Sequence, residues 1–191
     1  MDSINASRMV GGNSSYGRAK SDFYPTPSDV TIALVKAIGL CTGTRVWEPA
    51  CGEGHMVQTL QRCGCSVVGT DISMGVDFLS ASYIPCDWII TNPPFSIADK
   101  FIERCLYFER PFALLLKSQY WHAKKRLNLF REHPPITIFP LTWRPDFLFK
   151  TRGGGSPLMD VMWCVWENSH AITYPSYIPL ERPNDVELEE D

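Results

Sequence analysis

The chain has 191 residues, 45% hydrophobic and 20% charged, a balance that suits one soluble globular domain with a sizeable core. No apolar run reaches the roughly 18 residues of a membrane span, and the N-terminus lacks the apolar stretch of a signal peptide. Seven cysteines without a CxxC pair indicate neither a disulfide framework nor a metal site, so a reducing cytoplasmic setting is expected. The net charge of −3 is unevenly spread, because residues 181–191 hold six acids and one base and leave the rest slightly positive. Such a body can accept nucleic acid as a partner; a membrane is not expected.

In chain order, residues 1–20 are rich in Ser, Gly and Asn and are expected to form a flexible arm. Tyr24-Pro25-Thr26-Pro27 reads as a rigid turn. Ser28 or Asp29 is placed to cap a helix running to about Ile38, with Ile32, Leu34, Val35 and Ile38 as its apolar face. A strand over 44–48 leads into the tight loop Pro49-Ala50-Cys51-Gly52-Glu53-Gly54, and a helix follows to about Cys63. A second strand, 66–70, ends at Asp71. The apolar run 87–91 reads as a buried strand, followed by a helix over 97–108 and a strand over 111–116. Residues 119–131 predict a basic helix. Strands over 136–139 and 159–166 flank a glycine-rich loop, and the segment from Ser169 is expected to pack loosely. Alternating strands and helices predict an α/β fold. Its doubly wound sheet is mostly parallel, and the last two strands form an antiparallel hairpin at one edge. The expected organisation is an arm over 1–20, one catalytic domain over 21–168 and a Pro-rich acidic tail over 169–191.

Three strand ends carry chemistry. Gly52 and Gly54 let the backbone approach a ligand, and the following helix N-terminus favours a carboxylate or phosphate. Asp71 stands where a carboxylate commonly holds ribose hydroxyls. Glu48 repels phosphate but attracts a cation. A ligand with a ribose, an amino-acid end and a sulfonium centre suits all three. The third strand end is Asn92-Pro93-Pro94-Phe95, whose prolines cannot continue a strand. It offers an amide oxygen, a carbonyl and an aromatic face, which together can hold a planar ring bearing an amino group.

These segments, in this order, resemble those of S-adenosylmethionine-dependent methyltransferases, and within them the adenine-N6 DNA methyltransferases with gamma-type motif order. Tyr24-Pro25-Thr26-Pro27 resembles their N-terminal cofactor motif, Glu48 to Gly54 the glycine motif, and Asp71 the ribose-binding acid. Asp77-Phe78-Leu79 resembles the adenine-holding segment and Asn92 to Phe95 the catalytic motif. The resemblance spans roughly residues 22–166. It implies a Rossmann-like methyltransferase sheet with S-adenosylmethionine as cofactor. The implied cofactor-binding residues are Tyr24, Thr26, Glu48, Ala50, Gly52, Gly54, Asp71, Asp77 and Phe78.

The implied reaction is methyl transfer to the N6 amino group of adenine in DNA. Asn92 Oδ1 and the Pro93 carbonyl accept from the amino group, Pro94 stiffens the turn and Phe95 stacks on the base. No cysteine nucleophile is needed, and Cys51 reads as packing. A duplex base must be flipped out or already unpaired to reach such a pocket. Trp143 and Phe147 are expected as a second stacking wall, unless they are simply core. Trp121 lies in a region expected to help read the target, and Lys117, Lys124, Lys125, Arg126, Arg144, Lys150 and Arg152 are candidate phosphate contacts.

The spacing leaves no room for a separate target-recognition domain between the two motifs. Target reading is expected from short loops, a second copy or a partner, as in small phage or prophage methyltransferases, and a relaxed specificity follows. Such enzymes work in a bacterial or phage-infected cytoplasm. RNA adenine methyltransferases share the motif, as do enzymes that methylate a protein glutamine, so RNA and protein remain alternative substrates. An inactive scaffold subunit is the non-enzymatic alternative.

Overall fold

Among the described residues, short runs rich in branched and aromatic residues form seven strands of one sheet, and amphipathic runs form the helices that cover it. The structure is a computed structural model and describes residues 24–147, 159–167 and 174–184. Helix α1 is Ser28–Ile38, β1 Arg45–Glu48, α2 His55–Arg62 and β2 Ser66–Gly69. Next come β3 Trp88–Thr91, α3 Ala98–Phe108 and β4 Phe112–Lys117. The chain ends with α4 Leu127–Glu132, β5 Thr137–Pro140, β6 Val161–Trp166 and β7 Ser176–Tyr177. The sheet order is β2-β1-β3-β4-β6-β5-β7. Strands β2, β1, β3 and β4 are parallel, while β6 runs antiparallel to both β4 and β5. The fold is the expected α/β sheet, mostly parallel with an antiparallel pair.

Alternation along each strand splits the core between the two faces. Val46, Ile90, Ala113, Leu115 and Trp163 pack beneath α1 and α2 with Val30, Leu34, Met56 and Leu60. Their neighbours Trp47, Ile89, Phe112, Leu114 and Cys164 face α3, where Phe101, Ile102 and Cys105 meet them. Strand β6 is buried at all six positions, as befits a central strand. The Trp163 indole N–H donates to the Val30 carbonyl at 3.0 Å, so this fully buried ring carries no orphaned donor.

Three local expectations are corrected. Neither Ser28 nor Asp29 caps α1: Pro27 occupies the cap position, and no side chain bonds there. Asp29 instead lies inside the first turn and accepts from the Trp143 indole at 3.0 Å and Arg182 Nε at 2.8 Å. Residues 119–131 are not one helix. Two single 3-10 turns, Ser118–Trp121 and Lys124–Arg126, precede α4, because His122 and Ala123 between them leave helical geometry. The segment from Ser169 is not loose over 174–184. Ser176–Tyr177 pairs with β5, Leu180 is buried, and Arg182 reaches Asp29. Strand β7 therefore lies outside the antiparallel pair and forms that edge of the sheet. The arm over 1–20 falls outside the described residues, and among the described helices none is long and apolar enough to cross a membrane.

Candidate active site

Strand β1 has β2 on one side and β3 on the other, so the chain winds away from it in both directions. That switch point opens a crevice at the carboxyl ends of the strands. A cavity of about 340 Å³ lies there, bounded by residues from four stretches of the chain. Glu48, Ala50 and Gly52 come from the end of β1, Asp71 from the end of β2, and Asn92 and Pro94 from the end of β3. Tyr24 and Thr26 close it from the segment before α1.

The glycine loop is held from beneath. Cys51 N donates to the Thr70 carbonyl, and Gly54 N to the Cys51 carbonyl. Gly52 and Gly54 have φ of 50° and 84°, the left-handed region that glycine adopts without strain. The Gly52 N–H donates to Asp71 Oδ2 at 3.0 Å, and Ser73 N donates to Asp71 Oδ1 at 2.8 Å. Asp71 thus latches the loop to the end of β2. Gly69 permits the same approach for another reason: a Cβ there would sit 2.7 Å from a Val57 methyl and 3.1 Å from Cys51 Cβ.

On the far side, Asn92 Nδ2 donates to the Tyr24 carbonyl at 2.9 Å and to Thr26 Oγ1 at 3.1 Å. A carbonyl oxygen only accepts, so the Tyr24 contact fixes which end of the amide is nitrogen. Both Nδ2 hydrogens are then engaged, and Oδ1 is left buried without a partner. A buried acceptor in that state costs about 1–3 kcal/mol, and it is suited to a donor that arrives with a substrate. Pro93 is buried beside it, and Phe95 begins a short 3-10 turn that leads into α3. The Phe95 ring packs against Tyr24 at 5.7 Å, and the Lys117 ammonium lies 4.5 Å from its centroid.

The acids of the cavity titrate in opposite directions. Burial pushes the Glu48 carboxyl up to about 8; the Val57 backbone N–H opposes this and the neighbouring Asp71 adds to it. Its Oε2 is a second buried acceptor without a partner. Asp71 is also raised by burial, but hydrogen bonds from Ser73 and Gly52 outweigh that and hold it below the usual carboxylate value. Burial, then the charges of Glu48 and Asp71, push the Cys51 thiol up to about 11. A thiolate nucleophile is disfavoured there.

Several expected residues lie away from the cavity lining. Phe78 is core: it is 2% exposed and packs against Trp47 and Phe101, with centroids 5.2 Å and 4.8 Å away. Asp77 closes its own turn by accepting from Leu79 N, and Gly54 forms the N-terminal cap position of α2. Trp143 is tied to Asp29, and Phe147 is 5% exposed, edge-on to Tyr24 rather than opposite Phe95. These two do not form an open second wall. Trp121 packs on Phe130 at 4.2 Å and donates to Met162 Sδ.

The expected phosphate contacts are largely occupied. Arg144 pairs with Asp160 at 2.7 Å and Lys125 with Asp99 at 3.0 Å. Arg126 stacks over Tyr120 and bonds its carbonyl. Lys150 and Arg152 lie outside the described residues. Sequence reasoning missed His55, Met56, Ile72 and Ser73 in the lining, whereas Pro25, Cys51 and Glu53 fall inside the cofactor motifs it quotes. Ile72 and Ser73 were findable, since they directly follow the strand-end acid.

Comparison by sequence with protein-family models and with characterised proteins finds no match. Solved structures do share the architecture. A protein from Listeria monocytogenes assigned as a class I S-adenosylmethionine-dependent methyltransferase superposes with a TM-score of 0.58 at 15% identity, covering 95% of this chain and 72% of its own. A dimethyladenosine transferase from Plasmodium falciparum gives 0.56 at 12% identity over 75% of this chain and 62% of its own. A type I restriction-modification methyltransferase subunit from Streptococcus thermophilus gives 0.56 at 14% identity over 85% and 48%. The chain thus spans less than two thirds of the last two. At these identities the likeness establishes a shared fold.

Proposed function

We propose that this protein transfers a methyl group from S-adenosylmethionine to the N6 amino group of adenine in nucleic acid, with DNA as the polymer. One observation carries the reading: the Asn92 amide is locked with its oxygen buried, unpartnered and at the edge of a cavity. The residues suit the cofactor. Glu48 supplies one unpartnered buried carboxyl oxygen, Oε2, for a cationic ligand, Asp71 keeps lone pairs for ribose hydroxyls, and the Gly52 loop brings backbone to the cavity at a helix start. When bound, the cofactor supplies an electrophilic methyl group.

The chain's own part is positioning. An adenine amino nitrogen is a poor nucleophile because its lone pair is delocalised into the ring. Asn92 Oδ1 and the Pro93 carbonyl accept from its two N–H bonds and favour a more tetrahedral nitrogen, whose lone pair is then free to attack in line. Phe95 supplies the stacking face, with Lys117 beside it to meet phosphate once the base is seated. The gain comes from orientation and fixed dipoles. After transfer the nitrogen would be strongly acidic and would give up its extra proton to solvent water, so no strong base is required.

The polymer is assigned by offering labelled S-adenosylmethionine with duplex DNA, single-stranded DNA, RNA and protein. Label in DNA as N6-methyladenine is the expected result. Label confined to RNA or to glutamine in protein would reassign the substrate, and label in none would refute the reaction.

A further inference from the structure

We infer that Thr26 is a positioning residue for the Asn92 amide, an inference that rests on the amino-methylation reading above. The two ends of a carboxamide have nearly the same size, and its terminal torsion is broad and two-fold. The turn at Asn92-Pro93-Pro94 therefore does not by itself decide whether oxygen or nitrogen faces the cavity. The segment before α1 decides it. The Tyr24 carbonyl takes one Nδ2 hydrogen at 2.9 Å, and Thr26 Oγ1 takes the other at 3.1 Å.

The Tyr24 contact is main-chain, so it survives any side-chain replacement. The Thr26 hydroxyl is the side-chain part of the clamp, and it acts across 66 residues of sequence. It is well placed to hold a geometry. Thr26 is 5% exposed and stands between Pro25 and Pro27, whose rings fix φ on either side. The Tyr24 ring is wedged between Phe95 and Phe147, with centroids 5.7 Å and 6.0 Å away. Without the hydroxyl, one buried Asn92 hydrogen loses its acceptor, and the Tyr24 carbonyl alone holds the amide. The side chain is then freer to swing about its terminal bond, and Oδ1 drifts from the position in which it meets the substrate amine. Pro25 and Thr26 also border the cofactor cavity, so one strap touches both halves of the site.

The test uses Thr26→Val, Thr26→Ala and Thr26→Ser in the full chain. The Asn92 side-chain amide protons are assigned by NMR against Asn92→Ala, without cofactor. In the wild type both protons should exchange slowly. In the Val and Ala variants exchange should speed up by about tenfold or more, and Ser should restore it. In turnover assays the same two variants should lose about 100-fold in kcat. Their affinity for S-adenosylmethionine, measured by calorimetry, should fall by a much smaller factor than kcat, even though Thr26 also borders the cofactor cavity. Thr26→Val on an Asn92→Ala background should add nothing, because both changes act through one amide. Unchanged exchange, or kcat within about threefold of wild type, would overturn the inference. So would a loss seen mainly in cofactor affinity. If the amide protons respond as stated but the wild type methylates no amine, the positioning stands and the amino-methylation reading falls.

Discussion

The Asn92 side chain and the Tyr24 carbonyl, 68 residues apart in sequence, meet in a 2.9 Å hydrogen bond that orients the amide at the end of β3. Asn92→Asp tests this contact. A carboxylate has no hydrogen to give, so its oxygen would face the Tyr24 carbonyl oxygen in a repulsive contact where a hydrogen bond stood. The expected loss is about 1–3 kcal/mol, read from chemical unfolding of the two proteins. Equal stability would mean that the bond does not constrain the amide.

Glu48 predicts a pH dependence in two parts. In the protein alone its carboxyl is largely neutral below about 8. A cationic ligand favours the carboxylate, so binding releases a proton. Affinity for S-adenosylmethionine should rise from pH 6 to about 8 and level off above that. Glu48→Gln should flatten the rise to what the ligand's own amino group contributes.

Folding stability runs the other way. An acid whose folded pKa is raised has its full effect below its ordinary value of 4.5, and stability is lost as pH climbs through about 8. The wild type should therefore lose ground to Glu48→Gln between pH 5 and 8, by at least about 1 kcal/mol. Thermal melts at the two pH values read this directly, and a constant gap would contradict it.

Gly69→Ala should disturb the glycine loop from below. The added methyl would meet Val57 Cγ2 at 2.7 Å and Cys51 at 3.1–3.2 Å. Overpacking of this kind costs about 1–3 kcal/mol. Because Cys51 adjoins Gly52, cofactor affinity should fall by about tenfold as well, equivalent to 1.4 kcal/mol. A melt and a binding isotherm identical to wild type would show that the loop gives way freely.

Asp29→Ala should cost about 2 kcal/mol, or roughly 4–8 °C in Tm for a chain of this size. The buried carboxylate serves the Trp143 indole, Arg182 and the Val30 amide together. Arg182→Ala should cost less, about 1 kcal/mol or below, because that side chain is 60% exposed. Equal losses in the two variants would contradict this division.

The legible parts of the molecule were those written in contiguous residues. The run Trp88-Ile89-Ile90-Thr91 stopped by two prolines, the glycine loop after Glu48 and the acid after β2 could each be read in place. What escaped depended on distant partners. Strand β7 is two residues between Pro175 and Pro179, too short to carry a period, and it exists because β5 offers an edge. Asp29 looked like a cap because local sequence does not reveal Trp143 and Arg182. Phe78 was read into the site on resemblance, but the aromatic cluster around Trp47 claims it. The tie between Thr26 and Asn92 also escapes, because nothing local connects residues 66 apart.

The most direct test of the account is nucleoside mass spectrometry of DNA incubated with the protein and methyl-labelled S-adenosylmethionine, run beside Asn92→Ala. The wild type should yield labelled N6-methyladenine, and the variant at least about 100-fold less while still binding the cofactor. Undiminished N6-methyladenine from Asn92→Ala, or label on any atom other than the adenine amino nitrogen, would contradict it.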